Sequence, residues 1–364
     1  MSASVSDLAA MGWGPAFAKA FTTHERLGRV PGRVVSEERG QFLVHDGVSS
    51  HAAVVSGRVR HESGGDPLAY PAVGDWVAAS TAVGGESATI HGLLPRRSAI
   101  VRRAPTDHGK AAQIIAANVD VVFIVTSLNG ELNLRRLERY LAVAWESGAT
   151  PVVLLSKADL DDEIDGHRVA TESVAPGVEV IVTSAISGDG IDAVRAHLAP
   201  GRTVAFIGSS GVGKSTLVNT LAGHELMTVA GIRHDDARGR HTTTRRQLVS
   251  LADGLVIDTP GMRELALFDG EGLASAFEDV ERVAAGCRFR DCRHESEPGC
   301  AVRVAVATGA LDAARFGAFR KLEREAHRSE LANDAVARKA DRRKWTVMVK
   351  GVERHMQHKY GAKR

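Results

Sequence analysis

Residues Gly208, Ser209, Ser210, Gly211, Val212, Gly213, Lys214, Ser215 and Thr216 form an uninterrupted match to G-x-x-x-x-G-K-[ST]. An apolar run at 203–207 precedes it and an apolar helix at 217–222 follows. This feature restricts the fold more than any other, because the pattern works only between a strand and a helix. Its glycines let the backbone wrap with N–H groups turned toward phosphate oxygens. The helix N-terminus adds favourable partial charge. Lys214 is placed to neutralise β- and γ-phosphates, and Ser215 to offer its hydroxyl to Mg²⁺. A glycine-rich turn matching by chance would have no reason to sit between those two elements. The segment predicts nucleoside triphosphate binding.

The surrounding pattern supplies the sheet that such a loop needs. Apolar strands at 119–125, 152–155, 178–182 and 203–207 alternate with helices at 134–146 and 191–198. In the first helix Leu134, Leu137, Leu141, Ala144 and Trp145 share one face. Near-continuous apolar strands separated by helices predict a mostly parallel sheet covered on both sides. Upstream, 29–36, 41–44, 52–60, 75–79 and 88–94 read as short strands punctuated by Gly, Asp, Pro and Ser clusters. They predict a small OB-like β-barrel, which could bind oligonucleotides or act as a spacer. A polar, Arg-rich connector at 94–105 follows, and after about Leu273 the chain turns helical and charged. The 364 residues suit a multidomain α/β protein. The expected division is an N-terminal extension at 1–28, the barrel at 29–97, a nucleotide-binding domain at 98–272 and a helical metal-binding domain at 273–364. Hydrophobic residues at 44% and charged residues at 25% exclude wholesale disorder. There is no apolar stretch of ~18 residues, so no membrane association is expected. Asp7, Gly12, Gly14 and Lys19 interrupt any export signal, so a cytoplasmic protein is expected.

Other segments bear on which nucleotide is bound. Residues 255–261 form an apolar strand ending in D-x-x-G, with Asp258 suited to Mg²⁺ and the Gly261 N–H to the γ-phosphate. By itself D-x-x-G is a common turn. Between it and the phosphate loop, 239–244 is polar and turn-like, as a switch loop would be. Upstream, Ser156, Lys157 and Asp159 end a strand as [NTS]-K-x-D. Asp159 can accept from guanine N1–H and N2–H together, which adenine does not offer, and Lys157 can lay its stem along the base. Ser184 and Ala185 follow the next strand, where a backbone N–H can meet guanine O6. Each piece is weak alone. Together, at the carboxyl ends of successive strands, they fit the crevice where open α/β sheets bind ligands.

The order of these segments carries a resemblance. A Ras-like GTPase runs phosphate loop, switch, D-x-x-G, N-K-x-D and S-A, whereas this chain runs the last two first. That permuted order, with an all-β domain before it and a Cys/His cluster after it, closely resembles the ribosome-small-subunit-dependent GTPase family (RsgA, or YjeQ). The likeness also rests on 72–77 and 239–244, and it covers about 28–350. It implies a circularly permuted P-loop GTPase core binding GTP or GDP with Mg²⁺. It further implies hydrolysis stimulated by the 30S subunit, late maturation of that subunit, and contact with 16S rRNA by a monomer. By the same resemblance His241 would be the catalytic switch histidine, acting beside Lys214. Thr243 would be the Mg²⁺ threonine, with Thr242 as the second candidate, alongside Ser215 and Asp258. The chain departs from the Ras-like pattern at two places. Ser156 stands where Asn is usual, and the expectation is that an amide tying this loop to the phosphate loop is lost. Met262 stands where a water-positioning Gln is usual, so slow intrinsic turnover is expected.

The chain's three cysteines, Cys287, Cys292 and Cys300, fall within fourteen residues together with His294. An odd number of thiols without an export signal suits a metal site better than disulfides. Three thiols and one imidazole make a closed Cys₃His set for one structural Zn²⁺, and the set matches the family's zinc motif. Arg288, Arg290, Arg293 and Arg303 surround it. From 337 to 364 ten Lys and Arg face only Asp341 and Glu353. Such a basic tail suits a polyanion such as RNA, or else is a solvated terminal helix. Two other readings would use the same residues: an RNA-associated P-loop ATPase, and a non-enzymatic RNA-binding scaffold.

Overall fold

The computed structural model describes residues 5–38, 40–64, 66–81, 87–106, 109–129, 132–227, 246–258 and 271–333. Two helices, α1 (Val5–Ala10) and α2 (Pro15–Glu25), come first. No such elements were expected at 1–28. They form because Trp13 stacks on Phe17 and meets Phe21 edge-on, and Trp13 and Phe17 pack on the fully buried Trp76. An aromatic cluster of this kind dominates local burial.

The barrel is built from β1 (Val30–Glu38), β2 (Gln41–His45), β3 (Ser50–Val55), β4 (Trp76–Thr81) and β5 (Ser87–Leu93). Hydrogen bonding runs β1–β2–β3–β5–β4 and closes from β4 back to β1, with only β3–β5 parallel. Val34, Phe42, Val44, Ala53, Val55, Val77 and Ile90 fill its interior. The expected strand 52–60 stops at Val55. Ser56 caps a short helix, α3 (Gly57–Glu62), its Oγ accepting from the Val59 N–H at 3.3 Å. A serine before a short apolar-polar run favours that turn over continued strand.

The segment expected to be a connector instead forms an antiparallel hairpin, β6 (Ala99–Thr106) and β7 (Gly109–Ala117). Ile100, Ile114, Ile115, Ala116 and Ala117 are buried at its base. The arginines and Pro105 masked that alternation in the sequence.

The nucleotide-binding part contains β8 (Val121–Ser127), α4 (Leu134–Glu146), β9 (Thr150–Ser156), α5 (Ile164–Val174), β10 (Glu179–Val182), α6 (Ile191–Arg195), β11 (Thr203–Ile207), α7 (Lys214–Ala222), β12 (Arg246–Ser250) and β13 (Leu255–Asp258). The sheet order is β10–β9–β8–β11–β13–β12, parallel except for the β12–β13 pair. Alternation along the strands feeds two cores. Val121, Phe123, Val125, Val204 and Phe206 face α6 and α7. Val122, Ile124, Val153, Ala205 and Ile207 face Leu137 and Leu141 of α4.

Two junctions extend this sheet. At one edge β12 pairs with β1, matching Ser36 to Gln247 and Glu37 to Arg246, so barrel and parallel strands form one sheet of eleven strands. On the α4 face lie α8 (Glu271–Ala276), α9 (Glu278–Ala284), α10 (Ala301–Thr308) and α11 (Ala313–Asn333). Phe277 between α8 and α9, with Val280, Val302, Phe319 and Leu322 from these helices, belongs to the same core as α4. Arg315 of α11 fastens the contact. It meets Glu138 at 3.0 Å and Asp279 at 2.5 Å, and its guanidinium lies 4.7 Å from the Phe277 ring centroid.

Candidate nucleotide site and metal centre

The phosphate loop leaves β11 at Gly208, whose φ of 146° excludes most side chains. A Cβ there would sit 2.3 Å from the Val125 carbonyl oxygen, so the loop lies directly against β8. Gly211 and Gly213 also have positive φ, at 84° and 96°. The chain then enters α7 at Lys214, and Ser215 and Thr216 lie in its first turn. Lys214 Nζ donates to the Gly208 and Ser209 carbonyls at 2.9 and 2.6 Å. The loop thus presents backbone N–H groups, a helix N-terminus and a lysine at one point, the chemistry of a polyphosphate cradle.

The segments at the ends of β9 and β10 come together beside it. Asp159 Oδ1 accepts from Ser184 Oγ at 2.5 Å, and Ser184 Oγ in turn accepts from the Ile186 and Ser187 N–H groups at 3.2 Å. Lys157 has φ 60° and ψ 39°, a left-handed conformation that an unbranched L-residue adopts at a cost of about 1–3 kcal/mol and that clusters at ligand sites. Ser156 corrects one expectation. Its hydroxyl donates to the Val212 carbonyl of the phosphate loop at 2.6 Å, with the Thr126 carbonyl at 3.2 Å as the weaker alternative. The tie between the two loops is therefore kept, because the loops approach closely enough for a short side chain to reach.

Asp258 ends β13 on the adjacent strand. Burial pushes its carboxyl up to about 6, against the opposing pull of Lys214. A buried carboxylate with one cationic neighbour is a fitting ligand for a divalent cation, as is the Ser215 hydroxyl at the head of α7. His241, Thr243 and Gly261, with Thr242 and Met262, lie outside the described residues, as does the basic tail from 334 onward.

Sequence reasoning missed one contact. Arg136, in the first turn of α4, donates to Ser209 Oγ at 2.6 Å. The available signal was two adjacent arginines at a helix start with no acidic residue in that turn.

Cys287, Cys292, His294 and Cys300 converge between α9 and α10, their ligand atoms all within 4.8 Å of one another. Cys287 Sγ is 3.9 Å from Cys300 Sγ, and His294 Nδ1 is 3.6 and 3.4 Å from these two sulfurs. A tetrahedron with metal–sulfur bonds of ~2.3 Å has edges of roughly 3.8 Å, so these residues fit a zinc ion. His294 reaches inward from a left-handed backbone, φ 59°, and its ring packs edge-on to Phe316 of α11 at 6.1 Å. Among the described residues no helix is long and apolar enough to cross a membrane.

Comparison with known proteins gives concordant matches. The family model of the RsgA GTPase matches residues 93–268. A small ribosomal subunit biogenesis GTPase RsgA of Opitutus terrae is 43% identical over 355 residues, covering 94% of this chain and 96% of the relative. The crystal structure of YjeQ from Thermotoga maritima superposes with a TM-score of 0.61 at 27% identity, covering 82% of this chain and 98% of that one. The structure of YloQ, described as a circularly permuted GTPase, gives a TM-score of 0.58 at 22% identity, covering 82% and 95%, and supports the fold alone.

Proposed function

The chain belongs to the RsgA GTPase family, and on that premise we propose that its hydrolysis of GTP to GDP and phosphate is stimulated by the 30S ribosomal subunit. In this reading it acts as a monomer in the cytoplasm, binds 16S rRNA and serves late in maturation of the small subunit. The observation that carries the guanine-nucleotide part is the junction of loops. Ser156 bonds to Val212 of the phosphate loop while Asp159, three residues on, bonds to Ser184.

The base would be recognised by Lys157, Asp159, Ser184 and Ala185, and the phosphates by 208–216 and Gly261. Mg²⁺, when bound by Ser215, Thr243 and Asp258, supplies charge neutralisation at the β- and γ-phosphates. Lys214 would leave the Gly208 and Ser209 carbonyls for the phosphate oxygens, and His241 would act on the attacking water in place of the absent glutamine. Met262 is apolar and does not orient water, which fits an enzyme that depends on its partner for rapid turnover. Zinc on Cys287, Cys292, His294 and Cys300 would be structural, because four protein ligands leave no open position. In this reading the chain divides into an N-terminal extension at 1–28, the barrel at 29–97, the permuted core at 98–272 and the zinc-binding helices at 273–364. Arg288, Arg290, Arg293, Arg303 and the basic tail would face RNA phosphates.

The test is turnover of GTP and ATP by the purified chain, alone and with 30S or 50S subunits. Slow GTP-only hydrolysis, raised tenfold or more by 30S and not by 50S, is the expected result. Equal use of ATP would overturn the guanine assignment, and indifference to 30S would overturn the partner.

A further inference from the structure

Helix α4 opens against the usual rule for charge at a helix start. Its first turn holds Arg135 and Arg136 and no acidic residue, although the positive end of the helix dipole disfavours cations there. Arg135 is offset by Glu138 at 2.6 Å and by Asp312, just before α11, at 3.3 Å. Arg136 spans 73 positions of sequence to donate to Ser209 Oγ. A local preference broken in an otherwise consistent fold marks a position where function sets the residue.

Ser209 is the second residue of the phosphate loop, and two cations converge on it. Lys214 holds its carbonyl at 2.6 Å, and Arg136 holds its hydroxyl at 2.6 Å. The two holds respond differently to a nucleotide. A polyphosphate draws the loop lysine onto its own oxygens, which releases the Ser209 carbonyl. The Arg136 contact lies on the side chain and does not need to break.

We propose that Arg136 is a positioning residue of the nucleotide site, fixing the phosphate loop through Ser209 while Lys214 moves to the ligand. Its guanidinium also places positive charge behind the loop. The rotation of α4 that aims Arg136 at Ser209 is also held by α11. There Glu138 meets Arg315 at 3.0 Å and Arg139 meets Glu325 at 2.6 Å, both partners lying on α11. The proposal rests on the reading of 208–216 as the phosphate-binding loop.

Binding of a fluorescent GDP analogue and steady-state GTP kinetics on the full chain test it, with thermal melting alongside. Arg136→Ala is expected to weaken GDP binding roughly tenfold and to raise KM for GTP more than it lowers kcat, the pattern of lost uniform binding. Arg136→Lys should recover part of the affinity, and Ser209→Ala should add nothing further in the Arg136→Ala background. Lys214→Ala separates the two levels of the argument. GDP binding that survives Lys214→Ala would sink the phosphate-loop reading and the proposal with it. Binding abolished by Lys214→Ala but untouched by Arg136→Ala would overturn the proposal alone. A lower melting temperature for Arg136→Ala with unchanged GDP affinity would assign Arg136 to packing only, and overturns it too.

Discussion

Ser156 shows how much one hydroxyl can decide. It sits at the end of β9, where its Oγ is 2.6 Å from the Val212 carbonyl, so the loop that would read the base and the loop that would hold the phosphates share a bond. Ser156→Ala leaves that buried carbonyl without its donor, a loss of about 1–2 kcal/mol. The expected outcome is that loss in unfolding free energy by urea titration, together with weaker GDP binding by calorimetry. The sequence identified Ser156 as a departure from the usual asparagine and so pointed to the right position. It did not show the consequence, because that depends on how closely two loops 56 positions apart approach. Lys157 is similar: its residue type suggests a base contact, whereas its left-handed backbone is a fact of the fold.

Among the elements, the metal-ligating turn between α9 and α10 was the most legible. Four candidate ligands, three Cys and one His, within fourteen positions suffice to announce it. What the sequence left open is how it is built into the helices. Cys300 is buried, caps α10 by accepting from the Arg303 N–H at 3.5 Å, and lies in the core shared with α4. For the proposed zinc site, Cys300→Ser is therefore expected to reduce bound zinc from one ion per chain to a substoichiometric level, measured by elemental analysis. It should also lower the melting temperature by roughly 5 °C or more, since a structural metal contributes directly to folding. The β6–β7 hairpin was illegible for the opposite reason. Its apolar positions are clear only at the base, and its arginines and Pro105 read as loop when no partner strand is in view.

At the scale of the whole molecule, contacts remote in sequence join the three parts. Arg33 of β1 is fully buried and donates to the Met11, Gly74 and Asn118 carbonyls and to Thr203 Oγ1 at the start of the phosphate-loop strand. Burial lowers its guanidinium to about 10, which still leaves it charged at neutral pH. On the other side α8 presses onto α4 so closely that a Cβ on Gly272 would lie 2.0 Å from the Ala142 carbonyl oxygen. Gly272→Ala should force α8 off that face and cost about 3 kcal/mol of stability in urea unfolding. Neither contact has a sequence signature, because an arginine in a strand and a glycine in a helix carry no record of what they face. By itself the sequence determined the strand–loop–helix at 203–222, the permuted order of segments, the parallel sheet and the Cys₃His cluster. Each of these is written in residue type and spacing over a few tens of positions. Only the tertiary structure decided that β1 and β12 join barrel and core into one sheet, that Ser156 and Arg136 both grip the phosphate loop, and that α8–α11 share the core of α4. Those outcomes depend on distances between segments far apart in the chain, and such distances are set by packing rather than by local pattern.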